Sequence, residues 1–154
     1  AAAATAAGIP PLAGDDWADI FAKVLTALIE PKLGNGQATL LTRYPASEAP
    51  LARACADDPR FAERFELYCC GVELANGFGE LTDPQVQHAR LTAEMERKEE
   101  RYGERYPIDE DFISALAHMP PASGCAMGFD RVVMLATGAT RIDQVLWTPQ
   151  VRTD

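Results

Sequence analysis

The stretch that most constrains this chain is "FELYCCGVELANGFGEL", residues 65–81, whose only charges are Glu66, Glu73 and Glu80. Aromatic and aliphatic residues fill its two halves and Gly71 interrupts them. This predicts two strands joined near Gly71, or one strand with a bulge. A segment this apolar has to be buried in a sheet, and the rest of the chain has to cover it. Its acids are the puzzle. In one ideal strand, the odd separation sets Glu66 and Glu73 on opposite faces, whereas a turn or bulge at Gly71 brings them to one. Spacing alone leaves two readings open, solvated strand acids or carboxylates that face a ligand. A buried carboxylate is expensive unless a cation, a metal or a set of donors meets it. A pair suits Mg²⁺, which typically takes one or two protein carboxylates together with substrate phosphate oxygens. A third acid suits an ammonium group, and Asn76 adds amide donors.

The elements around this stretch are mixed. "DDWADIFAKVLTALIEPKL" places Trp17, Ile20, Phe21, Val24, Leu25 and Leu28 on one helical face, capped by Asp15 or Asp16 and closed by Pro31 and Gly34. "ATLLTRY" reads as a strand ended by Pro45, and the proline-punctuated residues 45–63 read as a loop with short helical turns. Asp83 and Pro84 open a polar helix through "QVQHARLTAEMERKEERYG", whose charged face is solvated and laced with i,i+4 pairs. "DEDFISALAHM" is a short helix, "GCAMGF" a glycine-bounded strand, "DRVVMLATG" a helix from Asp130, and "RIDQVLWTP" ends the fold. Strands and helices without βαβ alternation predict an α+β domain, with an antiparallel sheet and helices segregated around it.

With 154 residues, 47% of them hydrophobic, the chain reads as one ordinary soluble domain able to bury a sizeable core. No apolar run approaches the ~20 residues needed to span a bilayer, so no membrane partner is expected. The opening "AAAATAA" has no basic segment and no Met, and reads as the start of a cut fragment. A net charge of −9 argues against broad nucleic-acid binding and is compatible with a cationic substrate or a basic protein partner. Cys55, Cys69, Cys70 and Cys125 lack CxxC spacing, and Cys69 and Cys70 would point to opposite faces of a strand. They are expected to be buried, reduced thiols in a cytoplasmic protein rather than zinc ligands. Trp17 and Trp147 are expected to anchor the core or an interface, and His88 and His118 receive no role.

A second constellation is "GCAMGFDRVVML". Gly124 and Gly128 permit close approach to a strand, and Asp130-Arg131 opens a helix. A positive helix end with an Arg fork suits phosphate. Taken alone, the pair is equally a helix cap beside a surface charge.

The two stretches together, "FELYCCGVELANGFGELTD" and "GCAMGFDRVVMLATGATRIDQVLWTP", resemble the C-terminal half of a class II lysyl-tRNA synthetase catalytic domain. The second is similar to that class's motif 3, and "YPASEAPLAR" and "LTDPQVQHARL" fit the same family. The resemblance covers roughly residues 38–150, with 1–37 as linker and helix. Within the family, "ELANGF" and Ala126 of "GCAMG" are closer to the elongation factor P lysyltransferase branch, where the Ala accompanies a preference for (R)-β-lysine over α-lysine.

The resemblance implies an antiparallel sheet flanked by helices and a family that often dimerises. It implies ATP and Mg²⁺ as cofactors, with Glu66, Leu67, Gly128 and Arg131 lining the ATP site. Glu66 and Glu73 would hold the metal, and Arg131 and Glu73 would serve catalysis. Glu73, Asn76, Phe78, Glu80 and Ala126 would line the lysine pocket, with Glu80 as counter-charge for an amino group. The implied reaction is attack of the amino-acid carboxylate on the ATP α-phosphate, then transfer of the aminoacyl group to a lysine of elongation factor P or to tRNA(Lys). The net charge leans toward the protein acceptor. The family's motifs 1 and 2, including the Arg that grips ATP, are not found here. The chain is therefore expected to be an incomplete and inactive piece, or else a non-catalytic synthetase-like binding module.

Overall fold

The apolar stretch folds as a hairpin. In the computed structural model, which describes residues 1–148, β2 (Phe61–Cys69) and β3 (Val72–Gly79) are joined by Cys70 and Gly71. Both turn residues have positive φ, 52° and 73°. Two such residues between paired strands make the type I′ turn that matches the strands' own twist. With β1 (Thr39–Pro45) and β4 (Ser123–Met127) they form a four-stranded antiparallel sheet in the order β1-β2-β3-β4. The α helices are α1 (Ala2–Ala6), α2 (Trp17–Val24), α3 (Pro84–Tyr102), α4 (Glu110–Leu116) and α5 (Phe129–Thr137). The α+β class and the antiparallel sheet are as the sequence predicts. The chain divides into two compact units, the first comprising Ala1–Leu41, Glu66–Asn76 and Cys125 onward, the second Thr42–Phe65 and Gly77–Gly124.

In the first unit the turn fixes which side chains meet. A two-residue turn pairs Cys69 with Val72 and Tyr68 with Glu73, so Glu73 shares a face with Tyr68 and, by alternation, with Glu66. Further along, a Cβ on Gly77 would meet Phe65 and one on Gly79 would meet Glu63, pairs one residue out of step with Tyr68–Glu73. So β3 carries one extra residue, a bulge, in between, where Leu74 and Ala75 are buried in succession. The bulge returns Asn76 to the face of Glu73. The loop after α2 seats this end of the hairpin: Cys70 N donates to Gly34 O (2.9 Å) and Gly71 N to Leu33 O (2.8 Å). Gly34, at φ 73°, lies so close to β2 that a Cβ there would sit 2.5 Å from both Tyr68 O and Cys69 Cα.

The helix expected from Asp15 or Asp16 starts at Trp17. Asp16 accepts from Asp19 N and the Asp19 side chain returns the bond, a reciprocal cap. It departs from regular α geometry after Val24, with a π turn at Leu25–Ile29 and a 3₁₀ turn at Glu30–Lys32, because Pro31 cannot continue the ladder. Its apolar stripe is only half-buried. Trp17 is 57% exposed, stacked on Phe21 with centroids 5.2 Å apart, and Trp147 is 98% exposed, so neither tryptophan is a core anchor. Packing, which the periodicity does not encode, decides this. The thiols also differ from expectation: all four are free, but only Cys55 is buried, Cys70 sits in the hairpin turn rather than on a strand, and Cys125 lies exposed on β4.

The second unit is built on buried Tyr44, Ala49, Ala52, Ala62, Leu81 and Leu116. Gly77 packs across from Phe65, since a Cβ there would meet the Phe65 ring at 2.7 Å and Gly124 O at 2.6 Å. The predicted cap of α3 is present: Asp83 accepts from Gln85 N (2.9 Å) and Val86 N (3.0 Å), with Pro84 in the first turn. On its charged face Arg97 pairs with Glu94 at i,i+3, while Glu99 and Lys98 reach Arg105 and Glu104 beyond the helix end.

Candidate active site

Five strand residues and one helix start supply the first unit's candidate groups. Glu66 is only 6% exposed, and Tyr68 donates its hydroxyl to Glu66 Oε2 at 2.6 Å. Glu73 is half-buried on the same face of the hairpin. Leu67, between Glu66 and Tyr68, takes the opposite face. Asn76 returns to the acids' face through the bulge.

Gly128 N donates to Leu74 O at 2.8 Å, which ties the start of α5 to the bulged strand. Gly128 is the residue before α5, and Asp130 and Arg131 lie in the helix's first turn. Arg131 Nη1 donates to Glu73 O at 2.7 Å and approaches Glu73 Oε2 at 3.4 Å. The glycine-rich strand and the acidic hairpin, nearly sixty residues apart in sequence, thus meet through Arg131 and Glu73. Ala126 is exposed on β4.

Charge balance follows from this geometry. Arg131 pairs with Glu73, and Glu66 is buried with the Tyr68 hydroxyl as a donor, so two carboxylates and a guanidinium are carried at this end of the hairpin. Among the described residues, no group of three or more His, Cys, Asp or Glu side chains gathers to hold a metal ion. A two-carboxylate set fits Mg²⁺, which keeps waters and takes phosphate oxygens, and does not fit an ion caged by protein alone. Arg131 adds a planar donor suited to phosphate.

In the second unit, Phe78 and Glu80 follow each other on one face of β3 and its continuation. Glu80 N donates to Ala122 O (3.0 Å), and Glu80 forms an isolated bridge with Ala52. A Cβ on Gly124 would lie 2.5 Å from Glu80 Oε1, so the carboxylate occupies the space that glycine leaves open.

Sequence reasoning missed three polar residues around these groups. Tyr68 was hidden in an apolar run, although its i,i+2 spacing from Glu66 was readable. Gln87 and Arg90 lie three residues apart on α3, and both reach carbonyls of the Ala49–Ala52 segment. Cavities of about 550 Å³ beside Ile9, Lys23 and Thr26, and about 440 Å³ beside Thr137 and Gln144, include none of the candidate residues.

A family model for class II tRNA synthetases (D, K and N) matches residues 23–152. A lysine--tRNA ligase of Dehalococcoides mccartyi is 41% identical over 139 residues, 89% of this chain and 28% of that protein. An elongation factor P--(R)-beta-lysine ligase of Salmonella arizonae is 42% identical over 133 residues, 86% of this chain and 41% of that protein. A lysine--tRNA ligase of Xanthomonas oryzae pv. oryzae is 42% identical over 137 residues, covering 88% and 27%. The chain therefore spans well under half the length of these relatives. The end of the matched region, beyond residue 148, lies outside the described residues. The acidic hairpin and the glycine-bounded helix start fall inside the match, and the chain belongs to the family of class II tRNA synthetases (D, K and N).

Proposed function

We propose that this chain carries the C-terminal part of a catalytic domain that activates lysine or (R)-β-lysine with ATP and passes the aminoacyl group to a lysine of elongation factor P. In this reading residues 1–37 lead into the domain and 38–150 form its core. The parent protein is cytoplasmic and able to form a homodimer, and the chain alone is inactive. The observation that carries the proposal is the meeting of Arg131 with Glu73 on the hairpin face that also bears Glu66.

Glu66 and Glu73 hold Mg²⁺, which when bound neutralises charge on the triphosphate. Arg131 contacts the phosphates, and Leu67 and Gly128 complete the nucleotide's surroundings. Glu73 also lies beside the amino acid. Asn76, Phe78 and Ala126 line the substrate pocket, and Glu80 meets the side-chain ammonium. These residues contribute mainly position and charge: they hold the carboxylate nucleophile against the α-phosphorus and offset the charge that develops there. The nucleophile's oxygen bonds to phosphorus as the bond to pyrophosphate breaks.

Ala126 and "ELANGF" favour the protein-modifying branch, while relatives named lysine--tRNA ligase support a second reading with tRNA(Lys) as acceptor. The test uses the full-length protein that contains this chain, incubated with ATP, Mg²⁺, labelled α-lysine or (R)-β-lysine, and each acceptor. Transfer of β-lysine to elongation factor P is the expected result. Transfer of α-lysine to tRNA establishes the second reading. Failure to activate either amino acid overturns both and leaves the binding module.

A further inference from the structure

The reading of Glu80 as counter-charge for the substrate amine raises the question of what holds Glu80 in place, and the answer lies on α3. The backbone around Glu80 is paired with the segment Leu51–Arg53. Arg53 N donates to Gly79 O at 2.7 Å, Leu81 N donates to Leu51 O at 3.0 Å, and Ala52 bridges Glu80. That segment belongs to no regular strand, so its own carbonyls need partners.

Leu51 O has Leu81 N and Ala49 O has Ala52 N; Arg90 supplies Ala52 O and Pro50 O and adds to Ala49 O. Its Nη1 lies 2.8 Å from Ala52 O and 3.3 Å from both Ala49 O and Pro50 O. Gln87, only 1% exposed and one helical turn earlier, donates from Nε2 to Pro50 O at 3.4 Å. Hydrogen bonds from a charged donor are about twice as strong as neutral ones. The two N–H groups of this nitrogen make one short bond to Ala52 O and a longer one shared between Ala49 O and Pro50 O, which leaves the loop little freedom to shift. The same helix begins three residues after Glu80, at the Asp83 cap, so one end of α3 continues the strand and its second turn holds the strand's neighbour.

We infer that Arg90 is a positioning residue for substrate recognition: it fixes the Ala49–Ala52 carbonyls, these fix the backbone that pairs with Gly79–Leu81, and Glu80 is thereby aimed. Gln87 assists. Neither touches substrate. This inference rests on the proposed role of Glu80, and the test separates the two.

In the full-length protein, lysine-dependent pyrophosphate exchange is measured for wild type, Arg90→Met, Arg90→Lys, Gln87→Leu and Glu80→Gln, with Michaelis constants taken separately for amino acid and for ATP. Displacing a binding group by about 1 Å can cost up to roughly a hundredfold. Arg90→Met is therefore expected to raise the amino-acid KM by about tenfold or more, while the ATP KM stays within a factor of about two. Arg90→Lys should recover part of the loss by keeping one charged donor. Gln87→Leu should move the same constant less, and it carries the test where Arg90→Met does not fold. A merely structural role lowers the melting temperature and the active fraction but leaves both KM values alone; that result, or an equal rise in both, overturns the inference. If Glu80→Gln leaves the amino-acid KM unchanged, or the wild type shows no lysine-dependent exchange, the role of Glu80 fails first.

Discussion

Gly34→Ala is the sharpest structural test, because two separable costs converge on one atom. The residue sits at φ 73°, and a Cβ would lie 2.5 Å from Tyr68 O and Cys69 Cα. For an L-residue the left-handed region costs roughly 1–2 kcal/mol. The Cβ would also be roughly 1 Å inside ordinary contact with backbone that cannot swing aside, and overpacking of this kind costs about 1–3 kcal/mol. The sum, ~2–5 kcal/mol, is a large part of the 5–15 kcal/mol typical of a domain. At about 2–4 °C per kcal/mol for a chain of this size, the melting temperature should fall by roughly 4–20 °C. Gly103→Ala is the control: φ is 67° but nothing lies within 4 Å, so only the conformational cost applies. Paired urea and thermal melts should show Gly34→Ala the more damaging by roughly 1–3 kcal/mol with an unchanged m-value. Equal losses in the two variants would refute the close seating of the loop on β2, and with it the account of how the hairpin turn is held.

The remaining predictions are narrower. Gly124→Ala should cost little stability, because its Cβ meets the end of the flexible Glu80 side chain, but it should raise the amino-acid KM; KM values with a melting curve check both. Asp83→Ala removes the acceptor for two amide groups and should destabilise the fold by about 1 kcal/mol in denaturant melts. Asp58, hydrogen-bonded by the Arg60 side chain and backbone, is lowered from 3.8 to about 2. Its folded value lies below the unfolded one, so its stabilising contribution is complete above the ordinary carboxylate range and is lost as pH falls toward 2. A carboxyl-carbon NMR titration should give that midpoint, and Arg60→Ala should move it upward.

Local signals were legible and long-range ones were not. The hairpin could be read because Gly71 cuts an apolar run, and α3 because Asp-Pro opens it. The acids at 66 and 73 share a face only because the turn holds two residues, and Asn76 joins them only through the Leu74–Ala75 bulge. Neither count is fixed by composition or periodicity, since both depend on strand register. Burial was the weakest reading. Trp147 and Cys125 look apolar in sequence but lie exposed, and Glu66 looks polar but is buried with Tyr68 as partner. Arg90 escaped notice because its acceptors are backbone carbonyls some forty residues upstream, which no side-chain motif announces. The resemblance supplied roles for Glu80 and Arg131 that the residues alone left open between ligand contact and solvated charge.

The most direct test of the central claim, that Glu73 with Glu66 and Arg131 forms the metal–nucleotide end of an activating site, is pyrophosphate exchange by the full-length protein with and without Glu73→Ala. The account predicts Mg²⁺-dependent exchange that requires lysine or β-lysine and disappears in the variant, while its melting temperature stays close to wild type. Exchange that survives Glu73→Ala with an unchanged dependence on Mg²⁺ would contradict it.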